Sequence, residues 1–199
     1  MSKIVAVMGS PNSFGNTAGV VDAVLDGAMG LSTNIIKLYH LGKLNYVHGC
    51  THCLRCCEAK KCVQVDDLGP VLLDIHSADV VIFATPMYFN MPTAQFKMVF
   101  DRMYADMSVD RSVSKLAGKK AIIAVTCGQN DENAFHMVDL LSKAIEAFGF
   151  EITDRMVFSD DCGHRKFSAD KGAYSKAREI GAQYSTNAKP VVHDETLVL

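Results

Sequence analysis

Gly9-Ser10-Pro11-Asn12-Ser13-Phe14-Gly15-Asn16-Thr17, set directly behind the apolar run Ile4-Val5-Ala6-Val7-Met8, is the stretch that decides the fold. The run reads as a strand. Beyond the loop, Thr17 to Met29 places Val21, Val24, Leu25 and Ala28 at helical spacing, with Gly30 as the C-cap. A short polar loop between a buried strand and a helix start is a phosphate-binding geometry, because backbone N–H groups point outward and the helix dipole favours an anion. Ser10, Ser13 and Thr17 add hydroxyl donors, Asn12 and Asn16 add amide donors, and Gly15 permits conformations that other residues resist. With no Lys or Arg in the loop, the phosphate donors are neutral.

The missing lysine narrows the ligand. A nucleoside triphosphate loop reads G-x-x-x-x-G-K-[ST], and a dinucleotide loop reads G-x-G-x-x-G. Neither is present, and a single terminal monophosphate such as that of FMN suits the loop better. The plain alternative is an ordinary polar turn with a helix N-cap.

Working outward, Asn34 to Leu38 reads as a second short strand. Ala78 to Thr85 is a third, with Val80-Val81-Ile82-Phe83-Ala84 apolar throughout and Pro86 ending it. Ala94 to Tyr104 is helical, with Phe96, Val99, Phe100 and Met103 on one face. Lys120 to Thr126 is a fourth strand. In Ala134 to Phe148, a helix, Met137, Leu140, Leu141, Ala144, Ile145 and Phe148 form a stripe that Gly149 closes. Phe150 to Val157 is a fifth strand and Ala169 to Tyr184 a last helix. Strands alternating with helices predict an α/β, doubly wound parallel sheet. Ligands of such sheets bind at the carboxyl ends of the strands, where Thr85–Thr93 and 126–133 should meet the first loop.

At 199 residues, with 49% of them hydrophobic, the chain suits one domain with a substantial core. A net charge of −2 gives no electrostatic case for nucleic acid or a membrane surface. The N-terminus lacks a signal-peptide layout, and no apolar run approaches the roughly 20 residues of a membrane span. The expectation is a soluble, cytoplasmic protein.

Between strands two and three only Gly69 to His76 looks helical, and this long stretch holds Cys50, Cys53, Cys56, Cys57 and Cys62. Clustered cysteines in a chain without an export signal favour metal or redox chemistry over disulfides. Three thiolates at C-x2-C-x2-C surround one compact centre, and Cys62 is placed to supply a fourth sulfur for a [4Fe–4S] cluster. Arg55, Lys60 and Lys61 would offset its negative charge. Cys56 keeps the spacing that Cys57 breaks. The pattern departs from the ferredoxin run that ends in x3-C-P. Structural zinc, with His52 as an alternative ligand, and free redox thiols remain open. Cys127 and Cys162 read as core or loop residues, and no G-x-S-x-G supports an esterase.

The loop at 9–17, Thr85-Pro86-Met87-Tyr88-Phe89-Asn90-Met91-Pro92, Lys97 with Phe100-Asp101-Arg102, and the cysteine run followed by Asp66-Asp67 together resemble the flavodoxin-like NADPH-dependent FMN reductase family, in its iron–sulfur flavoprotein branch. The resemblance spans roughly residues 3 to 160. It implies a five-stranded sheet in the order 2-1-3-4-5, carried by a flavodoxin-like FMN-binding domain over 1–185. A Cys-rich insertion at 38–69 and a C-terminal tail at 186–199 complete the organisation. It implies that Ser10, Asn12, Ser13, Phe14, Gly15, Asn16 and Thr17 grip the FMN phosphate. Pro86, Met87, Tyr88, Phe89 and Asn90 then contact the flavin ring or ribityl chain, with Thr126, Cys127 and Gly128 as weaker candidates. Arg102 is either half of a helix-end salt bridge or an interface residue.

The expected activity is that of an FMN-dependent oxidoreductase in which Cys50, Cys53, Cys56 and Cys62 hold the cluster and the flavin itself carries the chemistry. Electrons would come from, or go to, NAD(P)H, a quinone, ferredoxin or another redox partner. The alternatives are an iron-free NAD(P)H-dependent FMN or quinone reductase, and an electron carrier that is not an enzyme. A homodimer or homotetramer is also implied, with Val191-Val192 and Leu197-Val198-Leu199 able to dock on a neighbouring subunit.

Overall fold

The computed structural model describes residues 1–30, 33–107, 112, 114–129, 132–185 and 196–199. Its centre is a sheet of β1 (Lys3–Met8), β2 (Ile35–His40), β3 (Val80–Tyr88), β5 (Lys120–Cys127), β6 (Glu151–Ser159) and β7 (Thr196–Val198), with the two-residue β4 (Met91–Pro92) paired to β3. The order is β2-β1-β3-β5-β6-β7, and every pairing along it is parallel. The first five of these strands are the five read from sequence, in the expected order. Two elements correct the strand count: β4 and β7.

Side-chain alternation explains the two cores. Val5, Val7, Val81, Phe83, Ile123 and Val125 face one side, under α3 (Leu68–Ser77), α4 (Ala94–Arg102) and α5 (Glu132–Ala147). Ile4, Ala6, Ile82, Ala84, Ile122 and Ala124 face the other, under α1 (Asn16–Met29) and α6 (Lys171–Ala182). A register shift at Ala121/Ile122 breaks strict alternation in β6, so Ile152 and Val157 share a face. Helices α1 and α6 cross at glycines. A Cβ on Gly27 would stand 2.0 Å from the Arg178 carbonyl oxygen, and one on Gly181 would stand 1.8 Å from that of Val24. Alanine at either position would force the helices apart.

Three expectations fail locally. Pro86 does not end β3, which runs on to Tyr88. Ala84 turns its carbonyl to β1, accepting from Gly9 N–H at 2.8 Å, so Pro86 presents its missing N–H on the same flank, beyond the end of β1 where nothing needs it. Leu140 lies off the α5 stripe and is exposed, its place in the core taken by Val138. Leu197-Val198-Leu199 packs on its own sheet, β7 pairing with Arg155–Val157 and Leu199 buried beneath. Val191-Val192 and Asn130 lie outside the described residues. Among the described residues no helix is long and apolar enough to cross a membrane.

Residues 41–67 leave the carboxyl end of edge strand β2 and return to the start of α3, at the same end of the sheet as the loops after β1, β3 and β5. They contain a 3-10 turn, Leu41–Lys43, and the four-residue α2 (Cys56–Ala59). Asn45 and Asp67 close the segment with a backbone bond of 3.2 Å and a side-chain bond of 2.7 Å from Asn45 N–H to Asp67 Oδ2.

Candidate functional site

The first loop is held by its own side chains. Ser10 Oγ donates to the Asn12 carbonyl at 3.1 Å and accepts from the Asn12 N–H at 3.2 Å, and Asn12 Oδ1 accepts from Phe14 N–H at 3.0 Å. These two residues therefore shape the loop. Asn16 bolts α1 to the segment after β6: its amide donates to Asp160 Oδ2 at 3.2 Å and accepts from Phe167 N–H at 3.0 Å. Thr17 and Thr126 share a buried hydroxyl bond of 2.7 Å. Gly15 departs from expectation, since its φ of −82° suits any residue.

What remains for a ligand is the helix terminus itself. The residue before α1 makes no side-chain cap, and the first turn holds no acidic residue. The helix start offers orphan N–H groups at the positive end of a 14-residue helix, with half-buried Ser13 in the loop before it. This is donor chemistry for a phosphate. Lys43 Nζ, 5.9 Å from the Phe14 ring centroid, brings a cation that a loop without Lys or Arg did not foretell.

The second loop is a two-residue hairpin. Tyr88 pairs with Met91, and Phe89 and Asn90 turn at φ of 50° and 63°. Positive φ at both central residues is the turn that matches strand twist, but it strains a Phe. Phe89 and Phe14 are almost fully exposed, Tyr88 is half exposed, and Pro86 and Met87 are half buried. Flat apolar surface thus rims the carboxyl edge. Thr93 joins this loop to the first, donating to the Gly9 carbonyl at 2.8 Å while its N–H bonds Thr85 Oγ at 3.2 Å. Gly9 has no room for a side chain: a Cβ would meet Phe96 Cβ and Thr93 Oγ at 2.8 Å.

Of Thr126, Cys127 and Gly128, Gly128 is exposed and the other two are buried. Cys127 is buried, with Sγ 3.8 Å from the Phe158 carbonyl. Thr85 and Thr93 bound the loop expected at this end, whereas Asp160 and Phe167 are site-forming residues that the sequence does not single out. The signal for Asp160 was its position after a strand at the binding end of the sheet.

Four of the cysteines gather at a second cavity. Cys50, Cys53, Cys56 and Cys62 line one cavity with His52, Gln64, Arg102 and Tyr104, whereas Cys57 is not in its lining. His52, Leu54 and Lys60 take φ of 52°, 57° and 56°, so the backbone coils tightly around the thiols at a cost of about 1 kcal/mol or more for each residue. Arg55, through its backbone N–H and then its side chain, holds the Cys53 thiol below its ordinary pKa. Burial, then neighbouring Cys57, push Cys56 up. Among the described residues no three Cys, His, Asp or Glu side chains already converge as a metal-holding group. The donor chemistry, four cysteines lining one cavity beside a guanidinium, suits a soft metal centre.

Arg102 proves to be half of a salt bridge, with a partner far away in sequence. It is buried and donates from Nη1 to Asp66 Oδ1 and Oδ2 at 2.8 and 2.6 Å. Burial opposes its charge, but Asp66 and the Cys62 thiol outweigh that and raise its pKa above the ordinary value. Asp101 pairs instead with Lys97 at 2.6 Å.

A doubly wound sheet with an uncapped first helix and an aromatic hairpin at the switch point has the architecture of the flavodoxin-like flavin oxidoreductases. Residues 2–160 match the model of the NADPH-dependent FMN reductase family, and the chain belongs to that family. It is 35% identical over 102 residues, 51% of this chain and 45% of the relative, to a protein of Archaeoglobus fulgidus called iron-sulfur flavoprotein. A Clostridioides difficile protein of the same name is 29% identical over 149 residues, 74% of this chain and 63% of the relative. The chain spans about half the length of the first of these. Among solved structures, an NAD(P)H:quinone oxidoreductase from Methanothermobacter marburgensis shares the fold with a TM-score of 0.70 at 14% identity, over 94% of this chain and 99% of that one.

Proposed function

We propose that this chain is an FMN-dependent oxidoreductase of the iron–sulfur flavoprotein type, in which Cys50, Cys53, Cys56 and Cys62 hold a [4Fe–4S] cluster. One observation carries the reading: four cysteines of one segment line a single cavity at the same end of the sheet as the uncapped start of α1. When bound, FMN supplies hydride and single-electron chemistry and the cluster supplies single-electron transfer.

The chain's own residues bind and orient. The first-turn N–H groups of α1 and the Ser13 hydroxyl hold the phosphate, while Ser10 and Asn12 keep the loop in shape. Asn16 and Thr17 fix the helix start against Asp160 and Thr126. Pro86, Met87, Tyr88, Phe89, Asn90 and Gly128 would contact the ring. Arg55, Lys60 and Lys61 offset the charge of the thiolates. NAD(P)H, a quinone, or a redox protein of the ferredoxin type is the electron partner. The free cysteines suit a reducing cytoplasm. Exposed Phe14, Phe89 and Met91 suit burial in a homodimer or homotetramer.

A second reading is an iron-free NAD(P)H-dependent FMN or quinone reductase with redox thiols. The lack of a converged metal-holding group among the described residues favours it. Anaerobic purification with iron, sulfide, zinc and flavin assays on one sample decides. Flavin with about four irons per chain, the [4Fe–4S] stoichiometry, supports the first reading; flavin with neither iron nor zinc, and rapid turnover of NAD(P)H with a quinone, supports the second.

A further inference from the structure

Arg102 is the most deeply buried charge beside the cysteines, and binding alone does not call for it. Its side chain is 0% exposed. Besides the paired bonds to Asp66, Nη2 reaches the Gln64 carbonyl at 3.4 Å, and the buried Nε–H has no acceptor among the described residues. The guanidinium lines the cavity of Cys50, Cys53, Cys56 and Cys62, and the Cys62 thiol lies against it. A guanidinium does not lose its proton in a protein. A fixed positive charge therefore stands in the cavity wall, shielded from water, where its field is strongest. Asp66, 16% exposed, sets a negative charge directly behind it.

We infer that Arg102 and Asp66 set the reduction potential of the iron–sulfur group in this cavity: Arg102 raises the potential and Asp66 restrains that effect. The inference rests on the proposed function. One-electron reduction of the cluster, by dithionite in the test below, adds one negative charge and no proton. The nearby cation stabilises the reduced form, and the carboxylate opposes it. The Cys62 sulfur lies against the guanidinium, and a hydrogen bond to a ligating sulfur would act in the same sense as the charge. Arg102 acts through the thiolates and is a positioning residue.

A clamp that merely pins residues 41–67 to α4 would explain the same ion pair, and the sign of the effect separates the two. Wild-type protein, Arg102→Met, Arg102→Lys and Asp66→Asn are loaded anaerobically, and their midpoint potentials are read by dithionite titration with redox mediators, alongside iron and sulfide content. Arg102→Met should disfavour reduction at least tenfold, about 59 mV lower for one electron. Asp66→Asn should move the potential upward, and Arg102→Lys should stay near wild type. Loosening a clamp would move the Met and Asn variants in the same direction. Variants that hold full iron yet shift together, or not at all, overturn the inference and leave the cluster standing. Should Arg102→Met fail to fold, Asp66→Asn decides alone: an upward shift supports the inference, and any other result overturns it. Wild-type protein that takes up no iron overturns the proposed function and the inference with it.

Discussion

Thr93→Val tests whether the two candidate flavin loops are joined through one hydroxyl. In the native chain Thr93 Oγ accepts from Phe96 N–H at 3.3 Å as the N-cap of α4 and donates to the Gly9 carbonyl at 2.8 Å. Valine keeps the volume and loses both bonds, along with the 3.5 Å contact to the Thr85 hydroxyl. The cap is worth about 1 kcal/mol. Leaving the Gly9 carbonyl buried and unpaired costs about 1–3 kcal/mol more. The expected loss is about 2–4 kcal/mol, a large share of the 5–15 kcal/mol by which domains are typically stable. With an m-value of about 2 kcal/mol/M, the urea midpoint falls by roughly 1–2 M. Far-ultraviolet circular dichroism follows the unfolding, and quenching of FMN fluorescence follows binding, which should weaken because the Gly9 end of the phosphate loop is released. Thr93→Ser keeps the hydroxyl and should lose much less. A valine variant within about 0.5 kcal/mol of wild type, or a serine variant as damaged as the valine one, would refute the reasoning.

Replacing Phe89 with Asn at its positive φ should raise stability by about 0.5–1 kcal/mol while weakening FMN binding, because Asn tolerates the left-handed turn but gives up aromatic surface; thermal melts and FMN titration read the two effects, and unchanged binding would remove Phe89 from the site. In metal-free protein Cys53 should react with iodoacetamide at lower pH than Cys56, since the thiolate is the nucleophile and Arg55 favours it at Cys53 while burial disfavours it at Cys56; peptide mapping across a pH series checks the order. Burial raises the Asp106 carboxyl above its ordinary 3.8, against the opposing pull of His76, Lys115 and Lys119. Stability from the neutral form is therefore complete below 3.8 and lost as pH climbs through the raised value. Asp106→Asn should raise Tm at pH 7, with the gain shrinking toward pH 4, and a gain independent of pH would contradict this.

The sheet was legible where strands are buried on both faces. Ile4–Met8, Val80–Ala84 and Ala121–Val125 are continuous apolar runs because helices cover both sides, and no other local structure explains such runs as well. β7 was not legible: three residues carry no periodicity, and only pairing with Arg155–Val157 makes them a strand. Pro86 misled because its effect depends on whether the neighbouring strand is still present beside it. At the first loop the polar residues stand out in the sequence, but the bonds they make within the fold do not. Asn16 and Thr17 bond to Asp160, Phe167 and Thr126, each more than a hundred residues away, and such partners leave no mark in the local sequence. Arg102 and Asp66 show the same limit, because a pair across 36 residues leaves no trace in spacing.

Residues 41–67 attach to the sheet only at its edge, leaving from β2 and rejoining at α3. No strand pairing in the interior of the sheet depends on what lies between those two points. Doubling a flexible connection of this kind costs only about 0.6 kcal/mol in closure entropy. The architecture thus joins a flavodoxin-like frame to a segment that enters and leaves at the sheet's edge, anchored to the frame by buried Leu41 and the Asp66–Arg102 pair. Changes in the length of the stretch between those two anchors would leave the order and pairing of the interior strands as they are.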